Sequence, residues 1–174
     1  MCGIVGYIGQ RDCTDVLMQG LEKLEYRGYD SAGIAVFEKT GIKTVKTKGK
    51  LADMRHKLDI EGSPVGHCGI GHTRWATHGE PSDINSHPHT NGRVTIVHNG
   101  IIENYIELKE FLTEKGYTFT SQTDTEVVAC LLDYYYSERN PLRAITETLK
   151  ELKGSYALGI IFRDCPDRVY ATRK

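Results

Sequence analysis

The chain has no surplus of either charge. Its 22 Lys and Arg stand against 23 Asp and Glu, a formal net charge of −1 over 174 residues. There is therefore no electrostatic case for a nucleic acid or an anionic membrane surface as partner. No apolar run approaches the length that crosses a bilayer. The start of the chain lacks the basic-then-apolar pattern of a secretory signal. Disulfide spacing is missing too. The five cysteines, Cys2, Cys13, Cys68, Cys130 and Cys165, are odd in number and contain no CxxC pair. Reduced thiols in a cytoplasmic protein are expected. No interior segment is rich enough in Pro, Ser or charge to mark a linker, and no repeat is present. What is abundant is glycine, 18 residues, many of them in pairs around possible site loops. The length fits one domain with a real core.

The pattern of elements is mixed. Residues 4–8, 31–37, 42–48, 67–75, 93–98, 155–162 and 168–172 read as strands. Lys39-Thr40-Gly41 and Asp164-Cys165-Pro166-Asp167 are expected to turn two hairpins. Asp12 or Thr14 can cap a helix with Leu17, Leu21 and Leu24 on one face. A short helix is expected over 50–58. Asn104 with Glu107, and Thr123 with Glu126, have capping-box spacing ahead of Leu108, Phe111 and Leu112 and of Val127, Val128, Leu131 and Tyr135. Asn140-Pro141 opens a helix that Lys153-Gly154 closes. These elements predict one α+β domain with antiparallel strands.

Met1-Cys2-Gly3-Ile4-Val5-Gly6 sets a thiol next to the chain start and runs into a β-like segment. With Met1 removed, Cys2 carries a nucleophile and a base on one residue. An α-amine has a reference pKa of roughly 7.7–8.0 and a thiol about 8.5. The amine can take the thiol proton directly or through one water. The same residues also fit an ordinary start followed by a buried strand.

Four polar constellations exceed what packing requires. In residues 24–33, Arg27 and Asp30 can pair across a turn and Gly28 allows close backbone approach; a surface ion pair at a helix exit is the plainer reading. In residues 72–81, Arg74 offers a forked grip on a carboxylate, Thr77 and His78 add hydrogen-bonding groups, and Trp75 at a loop tip has an apolar surface suited to covering something. A core tryptophan beside a surface arginine explains the run equally well. In residues 85–100 the histidines invite a zinc reading, but His87 and His89 flank a proline and no cysteine stands at ligand spacing, so no metal is expected. There, Asn99-Gly100 closes a strand and offers a side-chain amide and a backbone N–H to one oxygen, as an oxyanion hole does; a plain Asn-Gly turn is the alternative. In residues 121–126, Asp124 can hold an ammonium, or can merely start a helix. Jointly these groups suit a thiolate attacking the side-chain carbonyl of an amino acid, with an amide leaving group: glutamine or asparagine.

The start of the chain resembles class II glutamine amidotransferases, a branch of the N-terminal-nucleophile hydrolases. Within them, residues 24–33, 71–81, 85–89, 97–104 and 121–125 are similar to the glutaminase domain of the glucosamine-6-phosphate synthase family, in family order. The resemblance implies a four-layer α/β/β/α sandwich with two antiparallel sheets over residues 1–174. It implies that Cys2 forms a γ-glutamyl thioester and releases ammonia and glutamate. Asn99 and Gly100 would form the oxyanion hole. Arg74, Thr77 and His78 would take the α-carboxylate, and Asp124 with the Gly100 backbone the α-amine. Arg27 and Gly28 would line the Cys2 terminus, Trp75 would gate ammonia and His87 would support the loop. No cofactor is implied. In that family the ammonia goes to fructose 6-phosphate in sugar-isomerase domains, absent here, and the enzyme is a homo-oligomer. The glutaminase domain itself also runs further, so a C-terminally truncated domain is expected. A different class II amidotransferase would share Cys2 but not residues 75–78 in this form. A hydrolase using Cys68 and an inactive binding module are the remaining rivals.

Overall fold

Glycines at alternate positions of one strand set the architecture. The structure, a computed structural model, describes residues 2–174, and of Arg27 the backbone alone. The first sheet comprises β1 (Gly3–Ile8), β2 (Ser31–Glu38), β3 (Gly41–Lys48) and β4 (Cys68–Arg74), ordered β1-β4-β2-β3. On β4, a Cβ added at Gly69 would lie 2.9 Å from Cys13 Sγ, and one at Gly71 3.2 Å from Leu21 Cδ1. That face of the sheet therefore receives helix α1 (Cys13–Glu22) closely, with α2 (Leu51–Glu61) beside it. Leu17, Leu21, Ile34, Leu51 and Met54 fill this layer. The opposite face of β4 carries Ile70, His72 and Arg74, as strand alternation requires.

The second sheet comprises β5 (His89–Asn91), β6 (Val94–Ile102), β7 (Gly154–Phe162) and β8 (Tyr170–Arg173), in that order. All strand pairs in both sheets are antiparallel. Its outer face is covered by α3 (Tyr105–Glu114), α4 (Asp124–Tyr135) and α5 (Pro141–Glu151). Between the sheets, Ala35, Phe37, Cys68, Ile70, Val97 and Ile161 form a thin core. The result is the expected α/β/β/α sandwich. Among the described residues no helix is long and apolar enough to cross a membrane.

Several expectations meet the structure at their caps. Asp12 accepts from Thr14 N at 2.9 Å and Asn140 from Arg143 N at 3.1 Å. Thr123 accepts from Glu126 N, but the Glu126 carboxylate turns instead to the backbone and hydroxyls of Thr120 and Ser121. Burial raises the Glu126 carboxyl, and these hydrogen bonds outweigh it, leaving the group below its usual range. Asn104 makes no capping bond; its side chain joins Glu151 O and Lys153 N, each at 2.9 Å. Leu24 lies beyond the end of α1, where a Cβ on Gly3 would meet it at 2.5 Å. The helix expected over 50–58 runs to Glu61. Asn99-Gly100 does not close its strand, because β6 continues to Ile102 through Gly100 at φ +119°. A Cβ there would approach Ser155 O at 2.2 Å, so this kinked crossing of the sheet needs glycine. Short β5 was not anticipated.

Candidate active site

A cavity of about 230 Å³ opens where the ends of β1, β4 and β6 meet the start of α4. It is smaller than the roughly 300–1,000 Å³ of pockets for drug-sized ligands. From the first sheet it receives Cys2, Arg74, Trp75, Thr77 and His78; from the second layer come His87, His98, Gly100 and Asp124. Seven of the expected site residues, and Gly100 as an eighth, thus share one space although they come from distant parts of the chain. Asn99 does not line this cavity but a neighbouring one with Gly3, Ile4 and Leu24; its Nδ2 nonetheless donates to Cys2 O at 3.4 Å. Gly28, at φ +72°, underlies the indole of Trp75, so that a Cβ would lie 3.2 Å from the ring. Met1 and the Arg27 side chain lie outside the described residues, and with them the expected roles of the freed amine and of Arg27.

The loop after β4 is held by backbone contacts. Trp75 N donates to Cys2 Sγ at 3.2 Å, and the thiol donates back to Trp75 O at 3.5 Å. Trp75 is 54% exposed and so is not a core residue. The Asp30 carboxylate accepts from Ala76 N and Ser31 Oγ; its expected pairing with Arg27 falls on a side chain outside the described residues. Arg74 is almost fully buried, and its Nη2 donates to the carbonyls of His78 and Gly79. Its Nη1 has no partner among the described residues. An unsatisfied buried guanidinium nitrogen is costly, so a ligand oxygen at this position would be strongly favoured. Asp124, the first residue of α4, accepts from Ile102 N at 2.9 Å with one carboxylate oxygen, leaving the other beside His98 Nδ1 at 3.8 Å.

A histidine cluster backs the cavity. His72 Nε2 lies 2.7 Å from Asn99 Oδ1. The His72 and His87 rings stand 4.3 Å apart. Thr125 Oγ1 joins His87 Nε2 at 2.8 Å and His98 Nδ1 at 2.9 Å, and His89 Nε2 meets Thr123 Oγ1 at 3.1 Å. Burial pushes all four imidazoles down, His72 to about 3 and His87 and His89 well below the ordinary value. For His98, burial outweighs the opposing pull of Asp124. All four are thus neutral hydrogen-bonding groups near pH 7. Strand alternation could have flagged His72, which shares a face with Arg74. The ties from Thr125 and Asp30 join segments far apart in the chain and leave no local signal.

The three buried thiols lack a comparable setting. Burial pushes Cys13 and Cys130 up to about 12 and Cys68 up to about 11, away from the thiolate a nucleophile needs. Burial thus disfavours a thiolate at Cys68. A larger cleft of about 440 Å³ between Lys46, Arg93 and Arg163 contains no thiol, and its buried carboxylate, Glu126, is already hydrogen-bonded.

The chain as a whole is similar to known proteins. Residues 72–174 match the family described as "Glutamine amidotransferase domain". The chain is 57% identical to a glutamine–fructose-6-phosphate aminotransferase (isomerizing) of Clostridium tetani, over 100% of this chain and 29% of that protein. It is 53% identical to the protein of the same name from Thermus thermophilus, over 98% of this chain and 28% of that one. The chain thus spans less than a third of these relatives. Among solved structures, glutamine phosphoribosylpyrophosphate amidotransferase from B. subtilis superposes with a TM-score of 0.80 at 27% identity, over 94% of this chain and 35% of that one. A structure titled as the allosteric regulatory enzyme of purine biosynthesis gives 0.81 at 28% identity, over 94% and 36%. With its sandwich fold and with more than half its length matched, the chain belongs to the glutamine amidotransferase domain family.

Proposed function

We propose that this chain hydrolyses the side-chain amide of glutamine through a thioester on Cys2. The observation that carries the reading is the convergence on one small cavity of a thiol, a buried arginine with a free nitrogen and a helix-starting aspartate. Once Met1 is removed, the Cys2 amine takes the thiol proton, and the sulfur attacks the amide carbon. An N–H of Asn99 Nδ2 and the Gly100 backbone N–H receive the developing oxyanion. Nδ2 has two hydrogens, so the contact to Cys2 O leaves one available. The protonated amine then gives its proton to the leaving nitrogen, and ammonia departs. Water attacks the thioester carbon, glutamate leaves and the thiol is restored.

Arg74 Nη1 takes the substrate α-carboxylate, with Thr77 and His78 beside it. Asp124, with Gly100, takes the α-ammonium. His87 supports the wall through Thr125, while Trp75 over Gly28 covers the thiol and gates ammonia. The chemistry needs no metal or other cofactor. By likeness to relatives named for glutamine and fructose 6-phosphate, the ammonia serves to make glucosamine 6-phosphate from fructose 6-phosphate in a synthase portion of a homo-oligomeric cytoplasmic enzyme. Neither nucleic acid nor membrane takes part. The test is mass spectrometry after treatment with a glutamine-like diazo-ketone. The expected result is one covalent addition at Cys2 on chains lacking Met1; addition at Cys68, or none at Cys2, overturns the reading.

A further inference from the structure

The Asn99 side chain is gripped from behind. His72 projects from β4 of one sheet, Asn99 from β6 of the other, and their side chains meet at 2.7 Å, Nε2 to Oδ1. A terminal amide torsion is broad and nearly two-fold, so an unrestrained asparagine can turn either its NH2 or its oxygen toward Cys2. For a developing oxyanion the two faces are opposites: the N–H stabilises it and the oxygen repels it. Because Oδ1 only accepts, the contact requires the His72 proton on Nε2. The other ring nitrogen, Nδ1, has no partner among the described residues. The ring is fully buried, stacked on His87, and His87 is itself tied to Thr125. Burial holds the His72 imidazole neutral far below pH 7, so the donor is a fixed neutral N–H and not an imidazolium that comes and goes.

We propose that His72 is a positioning residue for the oxyanion hole, its Nε2–H locking the Asn99 amide so that the NH2 group, and not the oxygen, is presented at Cys2. The inference rests on the reading of Asn99 as an oxyanion donor given above. It makes half of the hole a bond between the two sheets.

Two kinds of measurement test it. The first needs no activity. NMR of the ring nitrogens in 15N-histidine-labelled protein is expected to show the neutral Nε2–H form of His72 between about pH 5 and pH 8. A proton on Nδ1 overturns the proposal, because Nε2 would then accept from the amide and Asn99 would aim its oxygen at Cys2. The second is kinetic. His72→Phe keeps a flat ring against His87 and removes the donor. Its expected effect is a drop of about 10- to 100-fold in kcat for glutamine hydrolysis with KM unchanged. His72→Gln, whose amide nitrogen can reach the Nε2 position, should recover most of the loss. In an Asn99→Ala background, His72→Phe should cost nothing further. An equal loss in both backgrounds overturns the proposal and makes His72 a packing residue. If His72→Phe does not fold, as judged by near-ultraviolet circular dichroism, His72→Gln and the tautomer decide. If the unsubstituted protein is neither active nor labelled at Cys2, it is the underlying reading that fails, and the tautomer still decides the positioning.

Discussion

Arg74 holds the loop after β4 and, in the function proposed above, would take the substrate carboxylate as well. Its Nη2 is committed to the carbonyls of His78 and Gly79, which shapes the loop, while Nη1 is buried and has no partner among the described residues. Lysine would supply one point charge in place of a planar fork and could not do both. Arg74→Lys is therefore expected to raise KM for glutamine on the order of 10- to 100-fold, with a smaller effect on kcat. Steady-state glutaminase kinetics check this, and an unchanged KM would remove Arg74 from carboxylate recognition. Much of this residue-scale picture was readable beforehand, because Arg74, Thr77 and His78 stand within five residues of one another on one loop. The Asp30 carboxylate was not. Its partner, Ala76 N, is 46 positions away, and no local pattern distinguishes that bond from a turn ion pair.

At the scale of elements, local signals were reliable where the partner lies within one turn. Asp12, Thr123 and Asn140 each cap a helix, Thr123 without the return bond from Glu126 that its spacing implies, and both expected hairpins form. The signals misled at Asn104, where capping-box spacing hides a long-range tie. Its amide bridges the start of α3 to the last turn of α5 and the entry of β7. Asn104→Ala should cost about 1 kcal/mol, since it removes two part-buried hydrogen bonds, to the Glu151 carbonyl and the Lys153 N–H. Asn104→Ser separates the two explanations: serine caps helices well but cannot span the gap. Urea unfolding is expected to show Ser as destabilised as Ala, and recovery with Ser would favour the capping role. Strand β6 was underestimated for a related reason. Asn-Gly reads as a turn, yet pairing with Tyr156 and Ala157 carries the strand through both residues.

For the whole molecule, the buried imidazoles set an acid limit. His72, His87, His89 and His98 all have folded values depressed by burial, against about 6.5 in an unfolded chain. Between the two values the unfolded chain binds more protons. Stability is thus fully present above about pH 6.5 and is lost as pH falls through the folded values, His72 continuing to about 3. Each histidine contributes at most about 1.4 kcal/mol per pH unit. Urea unfolding between about pH 7.5 and pH 5 should show falling stability before carboxylates begin to protonate near 4.3, and His89→Gln should flatten the slope. A level profile over that range would contradict it. The architecture also bears on how the protein fails. Each sheet has a generous apolar layer against its own helices, whereas the seam between the sheets holds few apolar groups. Cys2 and Arg74 ride on one slab, Asn99 and Asp124 on the other. A slip of the slabs by an ångström or so would scatter the reacting groups while both oily layers stayed intact, so inactivation is expected to run ahead of melting.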